Sequence, residues 1–229
     1  MTASTITPRD RLIFALDVPD ATAARQMVEQ LGDAVTFYKL GLELMAAGGY
    51  FELVDWLLQR NKKVFADLKL FDVPATVSRA VSLLANRGIT FATVHGNQGI
   101  MEAAAAAKGE LKILAVTVLT SLDRGDLDDL GFKCDVEALV LSRARRALEA
   151  GCDGVVASGL ELPAMRRAID SRLLVVTPGI RPVENRPSDD QKRVVTVEQA
   201  FADGANYIVV GRPIRDAKDP RAAAEAIQQ

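Results

Sequence analysis

Cysteine and histidine are scarce in this chain: Cys134 and Cys152 are its two cysteines and His95 its one histidine. Two thiols are too few for a disulfide framework, so both are expected to be free, as in a reducing cytosol. No apolar run approaches the roughly 20 residues that span a bilayer. The first eleven residues are polar and lack the apolar core of a signal peptide. An excess of one charge is missing too: 28 Lys and Arg stand against 30 Asp and Glu, leaving a net charge of -2. That balance gives no reason to expect nucleic acid or an anionic membrane as partner, although a local basic site for a phosphate stays open. The expectation is a soluble cytoplasmic protein.

What is present is 229 residues, 49% of them hydrophobic, enough for one sizeable core. Short apolar runs recur at 12–16, 35–40, 63–68, 91–95, 112–119, 154–157, 173–177 and 207–210. They are rich in Val, Ile, Leu and Phe with little polar alternation, as in parallel strands covered on both faces. Helical stretches separate them: 21–31, 42–59, 77–87 with Pro74 near its start, 136–150 and 197–203. Proline early and glycine late (Gly32, Gly88, Gly151, Gly204) punctuate them as helices usually are. The alanine run 103–107 fits a helix as well. Strands alternating with helices in this number indicate an α/β fold, a single-domain (β/α)8 TIM barrel, with a doubly wound sheet as the alternative. Two connections, 121–135 and 181–194, are long and rich in charge. Both follow a strand, which in a barrel puts them on the C-terminal face, where active sites form.

Chemistry concentrates at the ends of the strands. The third run reads Asp67-Leu68-Lys69-Leu70-Phe71-Asp72-Val73-Pro74. Side chains two apart share a strand face, which points Asp67 and Lys69 together. An ion pair closing the barrel is the plain reading. Three charges in six residues favour catalysis, because buried charge is costly unless paired. Lys39 interrupts the second run at a comparable height and extends the array; alone it would read as a lysine reaching for solvent. Asp17 ends the first run, either on the same rim or as a helix cap. The last two runs lead into Thr177-Pro178-Gly179-Ile180-Arg181-Pro182 and Gly211-Arg212-Pro213. The loops after strands 7 and 8 often bind phosphate in barrels, with glycine admitting backbone N–H groups and arginine adding paired donors. Solvated arginines on ordinary turns are the alternative. His95 could serve as a general base or as a hydrogen-bonding neighbour. Trp56, Met27, Met45, Met101 and Met165 read as packing residues.

Taken together, Lys39, Asp67-x-Lys69-x-x-Asp72, Thr177–Pro182 and Gly211-Arg212 resemble the orotidine 5′-monophosphate decarboxylase family, in order and along nearly the whole chain. Asp-x-Lys-x-x-Asp alone marks a wider superfamily; the other motifs narrow it. The resemblance implies a cofactor-free, metal-free decarboxylation giving uridine 5′-monophosphate. It implies a catalytic network of Lys39, Asp67, Lys69 and Asp72, with Lys69 protonating C6 of the pyrimidine. Asp17 and Lys39 would hold the ribose and Thr120 would lie near the base. Arg181, Gln191, Gly211 and Arg212 would grip the phosphate, with Ser121 and Pro178 as further contacts. A homodimer is implied as well, in which Asp72 and Thr76 reach into the partner's site. Two positions depart from the family pattern: Phe71 stands for its usual histidine and Ala75 for its usual asparagine. Three rivals are a magnesium-dependent sugar-phosphate enzyme of the same superfamily, a Schiff-base aldolase using Lys69 or Lys39, and a non-catalytic phosphosugar-binding protein. The first would be expected to carry an acidic ligand where this chain has Lys39.

Overall fold

The computed structural model describes residues 6–181 and 194–229. Eight parallel strands close on themselves in sequence order: β1 (Leu12–Ala15), β2 (Phe37–Leu40), β3 (Lys63–Leu70), β4 (Phe91–His95), β5 (Lys112–Val116), β6 (Gly154–Val156), β7 (Leu174–Thr177) and β8 (Tyr207–Val210). β8 returns to β1 through Leu12–Ile208, Ile13–Val209 and Phe14–Val210, so no sheet edge is left open. The expected (β/α)8 barrel and all eight expected strands are present.

Two cores follow from the strand period of two. Residues pointing outward, such as Phe14, Tyr38, Val64 and Ala66, pack with the helices in one large buried cluster. Those pointing inward form a second: Ile13, Ala15, Phe37, Phe65, Phe91, Leu114, Val176, Tyr207 and Val209. Its lower part is aromatic. Phe91 stacks against Phe37 at 5.1 Å, Phe65 at 5.9 Å and Tyr207 at 5.1 Å between ring centroids. These spacings suit favourable edge and tilted ring contacts, and they fill the barrel below the strand ends.

Several elements differ from the sequence reading. The single helix expected over 42–59 is two, Leu42–Ala47 and Tyr50–Leu58, because Gly48 and Gly49 adopt φ of 87° and 70°. Glycine takes that left-handed region without steric cost and breaks the helical path. The connection 121–135 contains a helix, Arg124–Asp129, begun by a reciprocal capping box between Asp123 and Asp126. The fifth strand stops at Val116, short of residue 119. Helix Ala21–Leu31 has the expected bounds, and its cap is Asp20, whose carboxylate accepts the N–H groups of Thr22 and Ala23. Asp17 is therefore not the cap. Trp56 has the guanidinium groups of Arg60 and Arg25 over its ring, at 3.9 and 5.6 Å from the centroid, and packs against the core.

Candidate active site

Each inward position above the aromatic floor is polar on three successive strands. Phe37-x-Lys39, Phe65-x-Asp67 and Phe91-x-Thr93 repeat the same two-residue step, and Asp17 stands two residues above Ala15. The register sets Phe65 beside Phe91 and Ala66 beside Ala92, which brings Asp67 and Thr93 to one level.

The side chains form a continuous chain of charge. Lys39 Nζ lies 3.0 Å from Asp17 Oδ1 and 3.5 Å from Asp67 Oδ2. Lys69 Nζ lies 2.9 Å from the same Asp67 Oδ2. The other oxygen, Asp67 Oδ1, accepts from the Thr93 hydroxyl at 3.0 Å. Asp67 is buried. Burial works against its charge, but Lys39 and Lys69 outweigh that and hold its carboxyl below the ordinary carboxylate range. Burial likewise works against the Lys39 ammonium; Asp67 and Asp17 prevail and keep its pKa above the ordinary lysine value.

Asp67 and Lys69 do meet, by a different route from simple alternation. Between the pairs Ala66–Ala92 and Leu70–Val94, β3 advances four residues while β4 advances two. Lys69 sits in this bulge at φ 47°, in the left-handed region. Its N–H is held by Thr93 Oγ1 at 2.9 Å.

The network opens into a cavity of about 620 Å³ at the C-terminal ends of the strands. Asp17, Lys39, Lys69, Thr120, Ser121, Pro178, Arg181, Gly211 and Arg212 all line it, together with Asp67. Val116, Val118, Val156 and Val209 give it an apolar side. Gly211 passes close to the first strand: a Cβ there would lie 3.3 Å from that of Ala15. Arg181 is buried and donates to the Ile180 carbonyl. The two ends of the 181–194 connection meet at a bridge between Ile180 and Val195. Gln191 lies outside the described residues, as does Pro182.

Asp72 and Thr76 do not join this cavity. Asp72 is exposed just past β3 and accepts its neighbour's N–H, that of Val73, at 2.6 Å. Thr76 accepts from Arg79 at 3.3 Å, and its N–H is bonded to the Val73 carbonyl at 3.0 Å despite Ala75 in place of asparagine. Phe71 is 67% exposed and stacks on His95 at 4.6 Å, while His95 Nδ1 is 2.8 Å from Asn97 Oδ1.

Sequence reasoning missed Thr93 and Arg215. The first was signalled by the Phe-x-polar step shared with β2 and β3. Arg215 donates to the backbone carbonyl of Asp17 at 2.8 Å and pairs with Asp216, a contact across 198 residues that no local pattern announces.

Comparison with known proteins gives a consistent result. The model of the orotidine 5'-phosphate decarboxylase / HUMPS family matches residues 10–227. A Methylococcus capsulatus protein named orotidine 5'-phosphate decarboxylase is 71% identical over 219 residues, covering 96% of this chain and 90% of that protein. One of the same name from Stenotrophomonas maltophilia is 52% identical over 222 residues, covering 96% and 92%. The crystal structure of orotidine 5'-phosphate decarboxylase from Lactobacillus acidophilus superposes with a TM-score of 0.85 at 36% identity, covering 95% of this chain and 96% of that one. On a match of sequence and barrel that covers nearly all of the chain, the chain belongs to the orotidine 5'-phosphate decarboxylase / HUMPS family.

Proposed function

We propose that this chain decarboxylates orotidine 5′-monophosphate to uridine 5′-monophosphate and CO2, the last step of UMP synthesis. The observation that carries the reading is the Lys39–Asp67–Lys69 chain, with Asp17 at its outer end, at the mouth of a closed barrel. Relatives bearing this activity in their names support it.

The reaction breaks the bond from C6 to the carboxylate and leaves the electron pair on a ring carbon. In this reading the protein stabilises that charge electrostatically, with groups already in place before the reaction. The Lys69 ammonium faces the developing carbanion and gives it a proton; the neutral amine then regains one from solvent. Asp67 faces the substrate carboxylate and disfavours it relative to neutral CO2. Its lowered pKa, which keeps it ionised, supports this role. Asp17 and Lys39 hold the ribose hydroxyls. Thr120, Ser121 and Pro178 lie along the base and ribose. Arg181, Gln191, Gly211 and Arg212 take the phosphate, whose binding energy can be used to order the site.

Asp72 and Thr76 are assigned to the neighbouring site of a two-fold homodimer. Their rim position outside their own cavity and the exposed apolar Phe71 and Val73 flanking Asp72 support this. Among the described residues no helix is long and apolar enough to cross a membrane, and the reading places the enzyme in the cytoplasm, free of nucleic acid.

The lysine between Asp17 and Asp67 weighs against the magnesium-dependent rival, since an ammonium stands where a divalent ion would need those carboxylates. A raised pKa makes Lys39 a poor Schiff-base nucleophile. The deciding experiment is a spectrophotometric assay with orotidine 5′-monophosphate in excess chelator. Turnover unaffected by the chelator is expected. Absence of turnover at micromolar enzyme overturns the reading, and activity restored by magnesium moves the chain to the sugar-phosphate branch.

A further inference from the structure

Thr93 is fully buried inside the barrel and is not among the residues lining the cavity, yet it touches both halves of the charged pair above it. Its hydroxyl is 2.9 Å from the Lys69 backbone nitrogen and 3.0 Å from Asp67 Oδ1. The directions are forced. An amide N–H can only donate and a carboxylate can only accept, so the single hydroxyl hydrogen goes to Asp67 and a lone pair receives Lys69.

Two consequences follow from that arrangement. Asp67 Oδ1 is occupied, which turns Oδ2 toward both Lys39 and Lys69. The bulge in β3 takes the Lys69 amide out of the regular ladder, and the Thr93 side chain supplies the acceptor that the neighbouring backbone no longer offers. This fixes Lys69 at a positive φ that few non-glycine residues adopt. A side chain launched from that backbone points its amine back to Asp67 rather than along the strand.

We propose that Thr93 is a positioning residue for the reaction: it sets the backbone of Lys69 and the rotation of the Asp67 carboxylate, and so the geometry of the proton donor. The inference rests on the decarboxylase reading above. Lysine and aspartate would both survive its loss, but misplaced relative to the substrate.

Thr93→Val keeps the branched shape and removes both hydrogen bonds. Misplacement of a reacting group by about 1 Å lowers rates by about 100-fold, and kcat of Thr93→Val is expected to fall on that order. Its affinity for UMP should stay within about threefold, because the product-binding contacts lie elsewhere. Thr93→Ser keeps the hydroxyl and should retain kcat within about threefold. An unchanged kcat in Thr93→Val overturns the proposal, as does a parallel loss of UMP affinity, which indicates general damage to the site. Should Thr93→Val fail to fold, the serine variant decides alone: a folded Thr93→Ser slowed more than about tenfold refutes the role of the hydroxyl. Amide hydrogen exchange at Lys69, read by NMR, is independent of turnover. Protection in the native protein and faster exchange in Thr93→Val are expected, and equal exchange contradicts the proposal. If the native protein turns over no orotidine 5′-monophosphate, the functional reading falls, while Thr93 is still judged by that exchange.

Discussion

Replacing Lys39 by methionine tests whether the charge network is a mutual arrangement or a set of separate contacts. Methionine keeps the length and apolar stem and removes the ammonium that stands 3.0 Å from Asp17 and 3.5 Å from Asp67. The two carboxylates respond differently. The Asp17 side chain is 46% exposed and can regain water, whereas that of Asp67 is 12% exposed and cannot. Removing one partner of a buried pair costs about 3–5 kcal/mol; Asp67 keeps Lys69 and Thr93, which sets the loss at the low end, about 3 kcal/mol. For a chain of this length that corresponds to a melting temperature lower by about 6–12 °C. The second variant is the control. Lys39→Met/Asp67→Asn removes the orphaned charge as well and should melt above the single variant. pH adds a sign. The native Asp67 pKa is lowered, so its pairing stabilises the fold above about pH 4 and that contribution is lost as pH falls through the lowered value. Losing Lys39 moves the Asp67 pKa upward, so the deficit of the single variant should narrow on acidification as Asp67 becomes neutral. Melting followed by circular dichroism across pH measures all three effects. A single variant that melts with the native protein, or a double variant that melts lower still, refutes the reasoning.

Three further outcomes follow from the proposed chemistry. Lys69→Ala should abolish turnover and leave UMP binding largely intact, since its role belongs to the transition state; equal losses of rate and affinity count against it as proton donor. Arg212→Ala should weaken ligands bearing a 5′-phosphate by about 1.5–3 kcal/mol and barely change nucleoside binding, measured by calorimetry; an equal effect on the nucleoside places Arg212 away from the phosphate. Mixing the inactive variants Lys69→Ala and Asp72→Asn should restore activity to about a quarter of sites, because half of randomly paired dimers are mixed and each has one intact site. Demonstrated subunit exchange without recovery refutes the shared site and leaves the reaction untouched.

Much of this was legible because barrels write their architecture locally. Each buried strand is a short apolar run, and the period of two sorts it into lumen and helix layer without tertiary information. Lys39, Asp67 and Asp17 could be placed on one rim because each follows that period. Lys69 was placed beside Asp67 by the same period, and it is there, but the route was hidden: their meeting depends on a bulge defined against β4, and a bulge is a property of a strand pair. Arg215 escaped for a related reason, since its target is a backbone carbonyl at the far end of the chain. The helix break at Gly48-Gly49 was written in the sequence, but strong apolar spacing on both sides read as one continuous stripe.

The Phe-x-polar step on β2, β3 and β4 dictates where this gene can change length. A one-residue insertion or deletion within 37–39, 65–67 or 91–93 reverses every side chain above it. On β2 it would send the Lys39 ammonium beneath the helices and bring Tyr38 or Leu40 into the lumen; on β3 it would do the same to Asp67. Both outcomes strand a charge in an apolar layer while emptying the site. The bulge beyond Asp67 shows where β3 absorbs extra residues: after the last strictly registered side chain and before the rim. Tolerated insertions and deletions should accordingly accumulate past the strand ends and at the capped helix of the 121–135 connection. The strand segments from the aromatic floor to the charged layer should change by substitution alone.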